Sequence, residues 1–208
     1  MRLSRKPANS DFSARPDLSQ GGQVLASRLL PEVFEGHQPG DRLSVLDLGT
    51  GNAKTVQFLS QFQAKVHFVD LAEHAELLGQ KDLTAAQALT TCTQLLGLPS
   101  TARYDIVMLW DVVHYLSPGM LEALSSVLEP HTLKHTKGYG FGSLQSDRIH
   151  QPFACGIVDE AQIVLEPSEG LPYCAHSQQQ MNQKFLCMRI AKATLLQEGK
   201  LELLFERH

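Results

Sequence analysis

The pattern of apolar positions first indicates four short strands. RLSVLDLG (42–49) and VHFVD (66–70) are short apolar runs that carry an acid at or near their end. A strong run opens YDIVMLWDVVHYL (104–116), and GYGFGSL (138–144) is a weaker one. The first run is apolar on both faces, which is typical of a strand buried inside a parallel sheet.

Between these runs, apolar residues recur every three or four positions, which predicts helices. Leu25, Leu29 and Val33 form such a pattern within residues 21–34, where Pro31 either interrupts the helix or starts a second short one. Further helices are predicted after the glycines of residues 49–51, with Val56, Leu59 and Phe62 on one face, and over residues 71–79, 81–99 and 117–130.

The C-terminal part predicts an antiparallel pair of strands. FLCMRIAKATLLQEGKLELLFER (185–207) reads as two strands joined at QEGK. Strands that alternate with helices imply right-handed crossovers. We therefore predict an α/β fold, a doubly wound and mostly parallel sheet with helices on both faces and a closing hairpin. The polar residues 1–20 are predicted as a flexible arm, and residues 21–208 as a single domain.

Composition and charge narrow the classes of partner. The formal net charge of the 208 residues is −4, so nothing favours the phosphate backbone of nucleic acid. No apolar run approaches the roughly 20 residues that a membrane-spanning helix needs, and the polar start lacks the apolar core of a secretion signal. The four cysteines form no Cys-x-x-Cys pair, which favours reduced thiols over disulfides or zinc. We predict a cytoplasmic protein without nucleic-acid, membrane or metal partners.

The segment VLDLGTGNAK (45–54) is the main candidate for a ligand site, because glycines after the first strand let a backbone approach a ligand. A dinucleotide site needs a third glycine where Lys54 stands, and Asp47 would repel a pyrophosphate. The same carboxylate attracts the positive sulfur and ammonium of a sulfonium cofactor. Asp70, one strand later, can accept the hydroxyls of a ribose. These charges favour a sulfonium cofactor over a nicotinamide dinucleotide, and the turn alone is also consistent with no ligand.

Three motifs in order resemble class I S-adenosylmethionine-dependent methyltransferases. VLDLGTGNA and VHFVDLAE are similar to the first two motifs of that family, and YDIVMLWDVVHYLSP is similar to its fourth-strand motif. Ala53 stands where the family pattern has a third glycine. The resemblance implies a Rossmann-like sheet of seven strands whose last pair is an antiparallel hairpin, S-adenosylmethionine as cofactor, and methyl transfer to a small-molecule or protein acceptor.

The resemblance also implies roles for individual residues. Gly49, Thr50 and Gly51 would line the methionine and ribose portions, and Asp47 would face the methionine ammonium. Asp70 would hold the ribose hydroxyls. The remaining cofactor residues would be Leu71, against the adenine, and Trp110 and Asp111, near the methionine and the substrate mouth.

One departure from the family concerns its third strand. Between Asp70 and Tyr104 the pattern is helical, so we predict that this strand is short or missing. Such a loss is consistent with an active methyltransferase. It is also consistent with a catalytically inactive relative that serves as a binding or regulatory module.

Catalytic and substrate residues are less defined by the sequence. Asp111 and His114 are candidates for a general-base pair, and the alternative for His114 is a structural residue with satisfied hydrogen bonds. Methyl transfer needs in-line positioning above all, so a dedicated base is not required. The segment before the hairpin supplies candidate substrate contacts, whose alternative is ordinary polar surface: Asp147, His150, Tyr173 and His176.

Overall fold

The computed structural model describes residues 22–142, 153–168, 174–196 and 200–207. The N-terminal arm, Asp147, His150 and Tyr173 lie outside these ranges. In the described part the strands are β1 (Gln23–Ala26), β2 (Arg42–Asp47), β3 (Gln63–Phe68), β4 (Tyr104–Trp110), β5 (Thr132–Gly142), β6 (Phe153–Asp159), β7 (Gln162–Pro167), β8 (Arg189–Leu195) and β9 (Leu201–Glu206). The α-helices are α1 (Leu30–Val33), α2 (Ala53–Leu59), α3 (Ala75–Leu78), α4 (Ala85–Leu96), α5 (Pro118–Leu128) and α6 (Gln178–Lys184).

Six strands form the main sheet in the order β3-β2-β4-β5-β9-β8. Strands β3, β2, β4 and β5 run parallel, and β9 pairs antiparallel with both β5 and β8. The predicted doubly wound, mostly parallel sheet with a C-terminal antiparallel hairpin is confirmed.

Local signals in the sequence set the ends of the longer helices. Thr84 and Gln87 form a capping box at the start of α4, and Gly97 ends that helix with a left-handed φ of 53°. Ser117 accepts a hydrogen bond from the N–H of Met120 and so caps α5. These caps satisfy backbone groups that a helix end leaves unpaired.

Side chains of the central strands alternate between two cores, because successive strand residues point to opposite faces of a sheet. Leu46 and Val107 lie in the core covered by α3, α4, α5 and α6. Their neighbours Val45 and Met108 lie in the core on the opposite face, which α1, α2 and a second, smaller sheet cover. All four are completely buried, which explains why the central strands read as continuous apolar runs.

The third strand of the family pattern is missing. The structure describes every residue between Phe68 and Tyr104, and this stretch contains a single 3-10 turn and the helices α3 and α4 but no strand. Strand β3 is therefore the edge of the main sheet as described. The prediction of a short or missing third strand is confirmed.

The helix predicted over residues 21–34 is wrong in its first half. Strand β1 occupies this stretch and pairs antiparallel with β7, and Pro31 belongs to a separate short helix, α1. Leu25, Leu29 and Val33 are all buried in one core. Their four-residue spacing arises because a strand, a turn and a helix in succession face that same core.

A second sheet has the strand order β1-β7-β6. The sequence pattern did not predict this sheet. Its pairings are all antiparallel. Phe153, Ile157 and Leu165 of this sheet pack in the same core as Phe58 of α2. The sheet therefore covers part of the face on which the turn after β2 lies.

A buried carboxylate joins distant parts of the described chain. Glu202 of β9 is completely buried. It accepts hydrogen bonds from the backbone N–H groups of Arg28 and Leu29, at 3.0 and 3.1 Å, and from the hydroxyls of Ser27 and Tyr139. These donors replace the water that the carboxylate loses on burial. The loop from β1 to α1 is thereby anchored to the C-terminal hairpin.

Candidate functional site

The carboxyl ends of β2, β3 and β4 lie side by side at one edge of the main sheet. Asp47, the last residue of β2, is in register with Phe68 of β3 and Met108 of β4. Trp110 ends β4, and Asp70 follows β3 by two residues. The parallel pairing therefore brings the ends of all three sequence motifs to one place.

Two glycines in the turn after β2 are present for different reasons. Gly51 has a φ of 66°, a conformation that residues with a side chain rarely adopt. Gly49 lies against the indole of Trp110, and a Cβ atom there would be 2.6 Å from Trp110 Cδ1 and 3.3 Å from Asp47 Oδ1. Gly51 is thus required because its backbone is left-handed, and Gly49 is required because the indole of Trp110 lies beside it.

Asp47 is a buried carboxylate at the base of this turn, with 1% of its surface exposed. Its Oδ1 atom accepts hydrogen bonds from the N–H of Gly49 at 2.9 Å and from Nε1 of Trp110 at 2.7 Å. Burial raises the pKa of Asp47 to about 6; the two hydrogen bonds oppose this rise, and the charge of Asp70 adds to it. The two hydrogen bonds thus offset only part of the free energy that burial of the Asp47 carboxylate costs.

Trp110 fills the space above Gly49. Its indole is 2% exposed and makes an edge-to-face contact with Tyr139, with ring centroids 5.8 Å apart. Its φ is 49°, the one positive φ at a non-glycine residue in the described part of the chain. A Cβ on Gly140 would lie 2.8 Å from the Trp110 carbonyl oxygen. The strand beside Trp110 therefore needs a glycine at position 140.

Strand β6 covers the same half of the edge. The N–H of Ile157 donates to Oγ1 of Thr55 in α2 at 3.0 Å. A Cβ on Gly156 would lie 2.5 Å from Cγ of Asn52. Cys155 is buried, and its thiol has a pKa well above the usual range, first because of burial and then because of the charges of Asp111 and Asp47.

The half of the edge nearer to β3 is open. Gly51 is exposed and Asp70 is half-buried. Oδ1 of Asp70 accepts hydrogen bonds from the N–H groups of Ala72 and Glu73, at 3.0 and 3.3 Å. Among the residues that the structure describes, no donor reaches the other oxygen, Oδ2. Phe68, 41% exposed, places its ring beside Gly51.

Two further predicted cofactor residues differ in exposure. Thr50 is exposed at the tip of the turn. Leu71 is 2% exposed and belongs to the core under α3, α4 and α5. Its predicted contact with an adenine stays a prediction.

The two candidates for a general-base pair are both buried. Asp111 is 3% exposed and accepts a hydrogen bond from the hydroxyl of Tyr115. His114 is 1% exposed; its Nε2 lies 3.1 Å from the carbonyl oxygen of Phe141, and its Nδ1 accepts from the N–H of His176 at 3.4 Å. Both ring nitrogens of His114 therefore have partners within the protein.

His176 lies beneath the surface, beside His114. The two imidazole rings are stacked with centroids 6.4 Å apart, and Nε2 of His176 lies 2.8 Å from the carbonyl oxygen of Leu116. Burial lowers the pKa of His176, and the hydrogen bond to Leu116 partly opposes this effect. The other three predicted substrate contacts lie outside the described residues.

The described ranges contain no group of three or more His, Cys, Asp or Glu residues that could hold a metal ion. Within those same ranges, no helix is long and apolar enough to cross a bilayer.

Sequence reasoning missed two residues at this edge. The sequence pattern assigns Phe68 to a strand and no more, although a large aromatic residue near a strand end is a candidate ligand contact. Cys155 lies in a segment for which no element was predicted, so nothing in the sequence placed it near Asp47. The alternation within FACGIVD, the residues of β6, was the available signal.

Comparison with known proteins identifies the fold through structure and not through sequence. No family model matches the sequence, and no curated protein matches it in sequence. Solved structures do match. The 1,6-didemethyltoxoflavin-N1-methyltransferase of Burkholderia thailandensis, with bound 1,6-didemethyltoxoflavin and S-adenosylhomocysteine, is 14% identical, with a TM-score of 0.50 over 86% of this chain and 77% of that one.

Two other similar structures have lower scores. An S-adenosylmethionine-dependent methyltransferase from Clostridium acetobutylicum is 13% identical, with a TM-score of 0.45 over 79% of this chain and 83% of that one. The magnesium protoporphyrin IX methyltransferase of Synechocystis, with bound S-adenosylmethionine, is 11% identical, with a TM-score of 0.46 over 86% of this chain and 76% of that one. From its strand order and the Burkholderia match, the chain has the fold of class I S-adenosylmethionine-dependent methyltransferases, without the third strand of that fold.

Proposed function

We propose that this chain binds S-adenosylmethionine at the carboxyl edge of β2, β3 and β4 and transfers its methyl group to a small-molecule or protein acceptor. When bound, the cofactor supplies an electrophilic methyl group on a positively charged sulfur. The observation that carries the proposal is the open half of the edge, where the turn glycine Gly51 lies exposed beside Phe68 and the half-buried Asp70 follows that residue by two positions on this fold. A cytoplasmic location is part of the same proposal.

The open half fits the nucleoside end of the cofactor. Oδ1 of Asp70 is held by backbone N–H groups, which orients the carboxylate. Its Oδ2 atom is then available to accept from the hydroxyls of a ribose. The absence of a side chain at Gly51 leaves room for the sugar, and the exposed ring of Phe68 offers an apolar surface beside it.

The charges of the filled half fit the amino-acid end, but its packing does not. Asp47 and Asp111 place two carboxylates near the ends of β2 and β4, and a cationic group nearby would offset the cost of burying Asp47. The space above Gly49, however, holds the indole of Trp110. The edge as built therefore accommodates a nucleoside more readily than an attached amino acid.

For the transfer step we propose positioning rather than a dedicated base. Both ring nitrogens of His114 are engaged within the protein, and Asp111 is hydrogen-bonded to Tyr115. Bringing an acceptor atom into line with the sulfonium can itself lower the barrier by several kcal/mol. Asp111 and His114 then hold the end of β4 in place and remain candidates for proton transfer.

A second candidate function is a binding module that has lost methyl transfer. The specific observation in its favour is that Trp110 and β6 fill the half of the edge on which the amino-acid end would lie. Such a module would bind the nucleoside end of the ligand and release no methylated product.

Calorimetric titration with S-adenosylhomocysteine tests the proposed site. We expect wild type to bind it and Asp70→Asn to bind roughly tenfold or more weakly, because hydrogen bonds to a charged acceptor contribute about 1.5–3 kcal/mol. Asp41→Asn is the matched control. Asp41 is exposed, accepts a backbone N–H from Gln38 at 2.8 Å, and precedes β2 at the opposite edge of the sheet. Equal affinities for the two variants would refute the site.

Incubation with methyl-labelled S-adenosylmethionine and a mixture of metabolites and proteins distinguishes transfer from binding alone. An active methyltransferase forms S-adenosylhomocysteine and a labelled product in proportion. Binding that Asp70→Asn weakens, without any labelled product across the mixture, would favour the binding module.

A further inference from the structure

We propose that Trp110 determines ligand specificity at this site. In the wild-type protein, its indole occupies the place of the ligand's amino-acid end. A nucleoside binds without moving it, whereas a nucleoside that carries an amino acid must displace it. This inference rests on the proposed function, because it concerns the same site, and it adds which part of the ligand the protein resists.

The indole of Trp110 blocks the approach to Gly49 sterically. Glycine at position 49 leaves space above the backbone, which is the feature that lets a ligand approach a turn closely. That space is filled, because Trp110 Cδ1 would lie 2.6 Å and Nε1 3.0 Å from a Cβ on Gly49. The indole therefore occupies the space that glycine at position 49 leaves above the backbone. A ligand atom cannot occupy the same space.

The charge of Asp47 favours a cationic group over the indole. The N–H of the indole is a neutral donor, and it occupies Oδ1 of Asp47 at 2.7 Å. A neutral donor leaves the negative charge of a buried carboxylate without an opposite charge, which is why burial raises the pKa of Asp47 to about 6. An ammonium group in the same place would supply both a donor and the charge. A cationic ligand end thus competes for the contact that the indole holds.

The backbone of Trp110 is in the left-handed region. A φ of 49° is strained for a residue with a side chain, and such strain concentrates at functional sites. The Trp110 carbonyl oxygen lies close to Gly140 on the neighbouring strand. A strained backbone lowers the cost of a rearrangement that moves the side chain away from the turn.

Fluorescence gives a direct measurement, because Trp110 is the single tryptophan of the chain. We expect S-adenosylhomocysteine to shift the emission of wild type to longer wavelength, since the indole leaves its buried place and meets water. Adenosine and 5′-methylthioadenosine, which lack the amino acid, should bind by calorimetry without this shift. The readout requires no catalytic turnover.

Affinities of variants give the second measurement. Glycine adopts a φ of 49° without strain, so we expect Trp110→Gly to bind S-adenosylhomocysteine roughly tenfold or more tightly than wild type, because the fraction of open protein limits the apparent affinity. Adenosine should bind wild type and variant equally. Trp110→Phe keeps a ring and loses the N–H donor; it should bind S-adenosylhomocysteine with an intermediate affinity, and it serves if the glycine variant does not fold.

Phe34→Leu is the matched control for general loosening. Phe34 is buried in the same core and packs on Phe58 and Phe62 rather than on the turn. This variant should lose stability and bind both ligands as wild type does.

The outcomes separate this inference from the proposed function. If S-adenosylhomocysteine binds wild type without an emission shift and binds the Trp110 variants with the same affinity, the role of Trp110 is refuted and the proposed function stands. If adenosine binds and S-adenosylhomocysteine binds neither wild type nor the Trp110 variants, both fail. If no ligand binds any of the proteins, the site itself is refuted.

Discussion

The two halves of the carboxyl edge differ in packing: the half near β3 is open, and the half near β4 is filled. Near β3, Gly51 is exposed and Asp70 is half-buried, with one oxygen held by backbone N–H groups. Near β4, Asp47 is 1% exposed and Trp110 is 2% exposed. The first half is built as a surface that can receive a ligand. The second is packed as an extension of the core.

This contrast shows that a motif does not by itself create an empty site. Asp47 ends β2 and Asp70 follows β3 by two residues, yet Asp47 is 1% exposed with a pKa that burial raises to about 6, whereas Asp70 is half-buried. The difference follows from one large side chain, the indole of Trp110, and from the cover that β6 provides. The predictions below test whether the two halves behave as core and as surface.

Replacing Asp47 should give the largest effect on stability. The folded protein binds the Asp47 proton more tightly than the unfolded chain does, because the pKa rises from 3.8 to about 6. Its contribution to stability is therefore full below pH 3.8 and is lost as the pH rises to about 6. At pH 8 the ionised carboxylate costs about 3 kcal/mol, since one pH unit corresponds to about 1.4 kcal/mol.

We therefore expect Asp47→Asn, which keeps an acceptor for Gly49 and Trp110, to be about 2–3 kcal/mol more stable than wild type at pH 8 and nearly equal to it at pH 4. Urea unfolding at the two pH values measures this difference. The other titratable groups are present in both proteins, so their contributions to the difference cancel. A stabilisation of the same size at both pH values would contradict the burial cost of Asp47.

Gly49→Ala should destabilise the protein by about 2 kcal/mol, because its Cβ must displace the indole of Trp110 from a packed position. Thermal and urea unfolding measure the loss. In the Trp110→Gly background the same substitution should cost little, since the obstructing ring is gone. A full penalty in both backgrounds would show that the turn itself, and not the indole, requires this glycine.

Gly51→Ala should cost about 1 kcal/mol, because alanine is strained at a φ of 66° although no atom lies closer to its Cβ than 3.6 Å. This cost should be unchanged in the Trp110→Gly background, because sites without shared partners act independently. A dependence on Trp110 would mean that the open and filled halves are coupled.

Asp70→Asn should change stability by less than about 0.5 kcal/mol, because it is partly exposed and the amide oxygen still accepts from Ala72 and Glu73. Unfolding in urea at neutral pH provides the value. A loss above about 1 kcal/mol would place Asp70 with the structural carboxylates rather than with the ligand site.

The sheet and its motifs could be predicted from sequence because each rests on local signals. Apolar runs marked β2 and β4, and acids at or near strand ends met at one edge because the strands are parallel. The missing third strand was also predictable, since residues 71–99 carry helical spacing throughout.

The filled half could not be predicted, because it depends on contacts between residues distant in sequence. Trp110, whose indole contacts Gly49, has a left-handed backbone conformation, and no residue pattern signals that conformation for tryptophan. Strand β6 reaches α2 from a hundred residues away. For the same reason the helical spacing of residues 21–34 does not reveal β1, whose strand conformation comes from pairing with β7.

The anchoring of the β1–α1 loop on Glu202 has a consequence for the order of folding. The N–H of Arg28 finds its acceptor 174 positions later in the chain. During synthesis on the ribosome, these donors stay hydrated until β9 emerges. The segment that precedes every strand of the main sheet is thus among the last to dock, and such long-range closure slows folding.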